Sequence, residues 1–288
     1  MQTPVLSADT IVDRYVEPIA VTDDLLPKNL HGSKTYYLQT SQEFAMKRLL
    51  AAGMKAIYQI SPVFRKGDRG TFHNVEFTML EWYRIGDDYD AGMKLLADLV
   101  LEIADISVEF KTFREVFEAE TGLNPHRATA KQLREAAELH GISYPDSYCS
   151  EPADAWIDLL FSELIQPKLD AVIVYDYCGS QSQLAKTRCE GDDEISERFE
   201  LFLHGIEIAN GYHELLDAAE LRRRMEENLQ YRLTDGRSPL PTESRLLAAM
   251  EGGLPPCSGT ALGIDRLLMV MLRAETIDDV IPFPIETA

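Results

Sequence analysis

Six side chains stand out for what their types and spacing could do. Arg65 opens the basic, glycine-punctuated part of "FRKGDRGTFHNVEFTMLEWYR" (64–84), and Arg266 follows the glycines of "GTALGIDRLLMVMLR". A guanidinium stays charged and its planar fork matches phosphate oxygens, so the pair could neutralise a polyphosphate. Glu200 and Glu207, in "RFELFLHGIEIANGYHEL", could hold magnesium, which takes carboxylates together with substrate phosphates. Phe77 could stack on a base. Glu81 lies between Leu80 and Trp82, where an acid is costly to bury unless it meets a cation or a donor. The implied substrate is a nucleoside triphosphate bound without a Walker loop, since no G-x-x-x-x-G-K-[ST] occurs. Plainer readings stand beside these. The arginines could be surface residues, Glu43 a helix cap, Glu200 and Glu207 a solvated strand face, and His73 a hydrogen-bonded turn residue.

The elements that must position these residues can be read from periodicity. "YYLQ" at 36–39 suggests a strand. "TSQEFAMKRLLAAG" predicts a helix with Thr40 as N-cap, Glu43 as its capping-box partner and Gly53 as the stop. "AIYQISPVFR" and "EFTMLEWY" alternate as strands, the second placing Phe77, Met79, Glu81 and Tyr83 on one face. Residues 88–170 are mostly helical by their three- and four-residue apolar spacing, and "AVIVYDY" is a short buried strand. "RFELFLHGIEIANGYHEL" predicts two strands joined at His204-Gly205, then a turn at Asn210-Gly211. A two-residue loop there pairs Phe202 with Glu207 and Leu201 with Ile208. "DAAELRRRMEENLQYRL" is an amphipathic helix whose "LRRRM" reads as a solvated face, and a glycine-rich entry leads to an apolar helix with Arg266 in its first turn. Strands in hairpin-like pairs around a helical block predict an α+β fold with an antiparallel sheet.

Composition narrows the function classes. The net charge of −20 argues against broad nucleic-acid binding, which needs many cationic phosphate contacts. No apolar run reaches the roughly 18 residues of a membrane helix, and the first residues lack a signal-peptide pattern, so a soluble cytoplasmic protein is expected. Cys149, Cys178, Cys189 and Cys257 show no C-x-x-C spacing, which favours free thiols over a zinc site.

The motifs carry a resemblance. "FRKGDRGTFHNVEFTMLEWYR" resembles the second signature motif of class II aminoacyl-tRNA synthetases, in its lysyl form F-R-[7 residues]-H-N-x-E-F-T-M-x-E-x-Y. "GTALGIDRLLMVM" is similar to their third motif, and "GIEIANGYHEL" to the lysyl branch's R-E-I-G-N-G-F-S-E-L. The resemblance implies an antiparallel sheet flanked by helices, in one catalytic domain over 1–288 with a helical insertion at about 88–170. The start "MQTPVLS" matches only the tail of the first motif, so that motif's helix and the anticodon-reading barrel are expected to be missing. A homodimer is expected.

The implied chemistry is amino-acid adenylation with ATP and Mg²⁺. By motif position, Arg65 contacts the α-phosphate and Arg266 the γ-phosphate, as the two catalytic residues. Phe77 stacks on adenine with His73 and Asn74 nearby, and Glu200 and Glu207 hold magnesium. Ser41, Glu43, Glu81, Tyr83, Asn210, Glu214 and Ala261 line the amino-acid pocket, whose acids suit lysine or (R)-β-lysine.

Details within the motifs are similar to a paralogous ligase branch: Ala209 and His213, Gln181 in "GSQSQLAK", Cys257-Ser258-Gly259, Ala261, and Ser41 two residues before Glu43. That branch passes a β-lysyl group to the ε-amine of a lysine on elongation factor P, so the expected partner is that protein rather than tRNA. Two departures stand out: Gly67 replaces a glutamate that contacts adenine, and Cys178 replaces a proline. The alternatives are aminoacylation of tRNA or a small acceptor, and a non-catalytic paralogue that binds ATP or an amino acid.

Overall fold

The computed structural model describes all 288 residues. The elements run β1 (Leu6–Ser7), β2 (Ala20–Thr22), β3 (Thr35–Leu38), α1 (Glu43–Ala51), β4 (Ala56–Phe64) and β5 (Glu76–Ile85). There follow α2 (Tyr89–Ala104), β6 (Glu109–Thr112), α3 (Phe113–Thr121), α4 (Ala130–Leu139), α5 (Ala153–Leu160), β7 (Ala171–Cys178), β8 (Thr187–Glu190), β9 (Asp193–Leu203) and β10 (Ile206–His213). The last are α6 (Ala218–Thr234), α7 (Arg245–Glu251), β11 (Cys257–Gly263) and α8 (Ile264–Leu272). The chain forms two compact units, Met1–Asp87 with Leu215–Ala288, and Asp88–Glu214. No helix is long and apolar enough to cross a membrane.

In the first unit, β5 pairs antiparallel with β4 on one side and with β11 on the other. Strand alternation puts Gln59, Ser61 and Val63 of β4 beside Glu81, Met79 and Phe77 of β5, with Ala261 of β11 directly opposite Glu81. The expected one-faced row on β5 is therefore present. The glycine-rich entry to the last helix is itself a strand. Gly259 faces Tyr83 and Gly263 faces Met79 across the ladder, so missing side chains leave room for large neighbours. The Asp265 carboxylate then accepts the Thr78 N–H at 2.6 Å, tying the first turn of α8 to β5.

Helix α1 departs from its expected cap. Gln42, not Thr40, is the N-cap, and it makes no side-chain cap bond. Its N–H donates to Glu81 (3.0 Å) and its amide to the Ser61 hydroxyl (2.6 Å), so tertiary partners outcompeted local capping. Glu43 is consequently the first helical residue rather than a capping-box partner. Gly53 stops the helix at φ +102°, as expected. On α6, Arg222 pairs with Glu243 and Glu251, and Arg223 and Arg224 pair with Glu220. Only Arg223 of this run is exposed, while Leu221 and Met225 are buried, so the run is a solvated face in its middle alone.

The second unit orders its strands β10-β9-β7-β6, with β8 on β9. All pairs are antiparallel except β6 with β7. β6 lies inside the block that periodicity reads as helical; α3, α4 and α5 make the crossover that a parallel pair requires. Thr112 with Glu115 and Thr129 with Gln132 form capping boxes that start α3 and α4. Their apolar stripes pack with Trp156, Leu160 and Phe161 onto Val172, Val174 and Phe202, and Trp156 stands edge-on to Tyr144 and Tyr148.

The β9–β10 hairpin corrects two expectations. His204 and Gly205 form its turn, both at positive φ, and Glu207 pairs with Phe202 as expected. Leu201, however, pairs with Ala209, because Ile208 is the extra residue of a β-bulge. No turn occurs at Asn210-Gly211: β10 continues to His213, with Gly211 opposite Phe199. Pairing along β9 overrode the local Asn-Gly signal.

Candidate active site

In the first unit, the β4–β5 connection carries the basic residues. The Arg65 N–H donates to the Val75 carbonyl (2.9 Å), and Gly67 takes φ +83°, a left-handed turn that favours glycine. The loop narrows again where Gly70 and His73 bridge. The Arg65 guanidinium lies over the Phe77 ring, 5.2 Å from its centroid, and its Nε is buried without a hydrogen-bond partner. A buried cationic donor with nothing to bind is costly, and an anionic oxygen relieves that cost.

Arg266 is the third residue of α8. Its Nε donates to the Phe72 carbonyl (3.1 Å), and its Nη2 lies 2.6 Å from His73 Nε2. Guanidinium has no acceptor, so His73 Nε2 must accept and the imidazole is neutral in this contact. The structure thus brings Arg266 and His73 together, and Arg65 and Phe77 together. Asn74 is placed differently: it is 2% exposed, donates to the Glu76 carbonyl (2.8 Å) and accepts the Ile285 N–H (3.2 Å). Its amide ties the backbone at 76 to the backbone at 285.

The same unit holds a buried acidic cluster. Glu81 has no exposed surface; it accepts from the Gln42 N–H and from the Tyr83 hydroxyl (3.3 Å). Burial pushes its carboxyl up to about 7, the Ser41 hydroxyl opposes this, and the neighbouring Glu43 charge adds to it. Glu43 forms an ion pair with Lys47 one turn along α1, and Lys47 is 1% exposed. Ser41, Glu43, Glu81, Tyr83 and Ala261 are therefore gathered by α1, β5 and β11. Two features suit a cationic ligand: acids that repel one another and a carboxyl poised near neutrality.

In the second unit, the bulge at Ile208 decides which side chains share a face. Asn210 pairs with Glu200 and Glu207 with Phe202, so Glu200, Glu207 and Asn210 lie on one side although 207 and 210 differ in parity. Glu200 accepts from the Tyr177 hydroxyl (2.6 Å) and pairs with the Arg198 guanidinium, which also lies over the Tyr177 ring. Burial raises the Glu200 carboxyl; Arg198 counters this, and Glu207 pushes it further up. Asn210 donates to the Tyr212 hydroxyl (3.0 Å), while Glu214 is fully buried and its residue bridges to Ala185. No group of three or more His, Cys, Asp or Glu side chains forms a metal cage by itself. Two carboxylates that repel each other fit a magnesium ion that takes its remaining ligands from phosphates and water.

A family model of class II tRNA synthetases (D, K and N) matches residues 1–287. The chain belongs to the class II tRNA synthetases. Among its relatives in that family, a protein of Pectobacterium atrosepticum named elongation factor P–(R)-β-lysine ligase is 40% identical over 293 residues, covering 100% of this chain and 89% of its own length. Proteins of the same name from Haemophilus influenzae and Vibrio cholerae are each 41% identical, covering 100% of this chain and 88% and 89% of theirs. In this class II synthetase chain, sequence reasoning missed Lys47, Tyr177 and Arg198. Lys47 is four residues beyond Glu43, the spacing of helical ion pairs, and Arg198 is two residues before Glu200 on the same strand face. Those two were findable; Tyr177 was not, because the β7–β9 ladder shifts register between Tyr175 and Tyr177, where β9 carries an extra residue.

Proposed function

We propose that this class II synthetase chain is an ATP-dependent ligase that activates (R)-β-lysine, or lysine, and transfers it to the ε-amine of a lysine on elongation factor P. The observation that carries this is the pairing, in one unit, of a phosphate-seeking arginine with an orphaned buried donor and a buried acidic cluster. The printed name of the relatives, at about 40% identity over the whole chain, supports the acceptor and the β-amino acid.

The amino acid's carboxylate oxygen attacks the α-phosphorus of ATP, and the bond to pyrophosphate breaks. The acceptor's ε-nitrogen then attacks the acyl carbon, the bond to AMP breaks, and the amine gives up a proton as the amide forms. Arg65 and Arg266 neutralise charge on the phosphates, His73 orients Arg266, and Phe77 offers its ring to adenine. Glu200 and Glu207 would hold magnesium, which supplies further charge neutralisation when bound. Ser41, Glu43, Glu81, Tyr83, Asn210, Glu214 and Ala261 receive the amino acid, with Ala261 and Ser41 adding a methyl and a hydroxyl that shape the pocket for a displaced amino group. On the same reading the chain works in the cytoplasm as a homodimer and does not use tRNA as its acceptor.

The test is the intact mass of elongation factor P after incubation with this protein, ATP, magnesium and (R)-β-lysine. A lysine-sized increase on one lysine is expected. Pyrophosphate exchange without that increase would leave an adenylating enzyme with another acceptor. Absence of exchange with either lysine isomer would overturn the proposal.

A further inference from the structure

Arg69 lies at the tip of the β4–β5 loop, outside the residues assigned to phosphate or amino acid. Its guanidinium is nonetheless fully engaged. Nε donates to Glu286 Oε1 (2.6 Å), and Nη2 donates to Glu286 Oε2 (2.9 Å) and Asp278 Oδ2 (2.7 Å). Nη1 reaches the carbonyls of Gly70 and His73 at 3.4 Å each, spanning the narrow neck of the loop. Two further bonds join the same segments: the Ile277 N–H donates to the Thr71 carbonyl (2.8 Å), and the Ile285 N–H to Asn74 Oδ1 (3.2 Å). Segment 276–288 is itself ordered by reciprocal bonds between Thr276 and Asp279 and by the Thr287 N–H to the Pro284 carbonyl.

A loop with glycines at 67 and 70 has little intrinsic stiffness, and most of residues 66–73 is exposed. Yet it carries Arg65 at its start and His73, the partner of Arg266, at its end. Groups that neutralise a transferring phosphate act only when held in place. We propose that Arg69, clamped by Asp278 and Glu286, is a positioning residue that makes segment 276–288 the brace of the phosphate-binding loop. The proposal rests on the ATP reading above. Its chemistry is a bidentate arginine–carboxylate fork with a second carboxylate on the remaining donor edge, a geometry that lysine cannot reproduce.

The test uses the full-length protein with Arg69→Ala, Arg69→Lys and the double variant Asp278→Asn/Glu286→Gln. Hydrogen–deuterium exchange of residues 66–74 is expected to quicken in the Ala and double variants, a readout that needs no activity. In pyrophosphate exchange, the KM for ATP is expected to rise roughly threefold to tenfold, with the KM for lysine unchanged. Arg69→Lys should recover part of the loss, and adding Arg69→Ala to the double variant should cost little more, since only the long Nη1 contacts to the neck remain to be lost. Unchanged loop exchange in both the Ala and double variants would overturn the clamp. Faster exchange with an unchanged KM for ATP, or an equal rise in both KM values, would overturn its positioning role. Absence of pyrophosphate exchange in the parent protein would count against the ATP reading alone, and loop exchange would then decide the clamp by itself.

Discussion

An Arg266→Ala chain is expected to lose ATP–pyrophosphate exchange by about a thousandfold while keeping its melting temperature. The loss combines two effects. A guanidinium aimed at developing phosphate charge is worth about 10²–10³ in rate in comparable electrostatic sites. The same side chain also bonds the Phe72 carbonyl and His73, so its removal frees the end of the phosphate-binding loop. The fold should survive, because Arg266 is only half-buried and the first turn of α8 is held by Asp265 on the Thr78 N–H. Arg266→Lys should retain part of the activity, since charge is kept and the fork is lost. Normal turnover by the Ala variant would show that Arg266 does not act on phosphate.

Glu81→Gln is expected to raise the KM for lysine about a hundredfold, leave the KM for ATP alone and stabilise the ligand-free protein. Burial lifts the Glu81 carboxyl from 4.5 to about 7, so between those values the folded chain binds more proton than the unfolded chain. Stability therefore falls as pH rises from about 4.5 to 7, and the ionised form above 7 costs about 3 kcal/mol. Glutamine removes that slope and that cost, which urea unfolding at pH 5 and pH 8 will read. A substrate ammonium reverses the preference. It can take the place of the long Tyr83 bond and favour the ionised carboxylate, so lysine affinity should increase through pH 7 with proton release on binding. Calorimetry in buffers of different ionisation enthalpy measures that release. A lysine KM that is unaffected by the substitution would remove Glu81 from the pocket.

The parts of the fold legible in the sequence are those where one local pattern dominates. β4 alternates buried and exposed residues along its length, and the His204-Gly205 turn needs left-handed backbone in a two-residue loop. Long-range partners hid the rest. Thr40 looked like a cap because the chain around it fits a capping box, but Gln42 took the cap position while bonding across to Glu81 and Ser61. β11 was obscured by its glycines, which only make sense opposite Tyr83 and Met79. Residue types gave the chemistry of Arg65, Arg266 and the acids; the local spacings that set Lys47 on Glu43 and Arg198 on Glu200 were there to be read, whereas the bond from the Ile285 N–H to Asn74 was not.

The extra residue at Ile208 has a consequence for how this chain can vary. Side assignment along a strand is a count by twos, and the bulge resets that count between Glu207 and Asn210. Deleting Ile208 alone would leave Glu207 opposite Phe202 and Asn210 opposite Glu200 in plain alternation, so both side chains would keep their side. What would go is the local bend and added twist that the extra residue puts into β10. Deleting Ile208 and Ala209 together would instead carry Asn210 and Tyr212 to the opposite side from Glu200. One residue between Glu207 and Asn210 is thus enough to choose the side, and the second sets curvature.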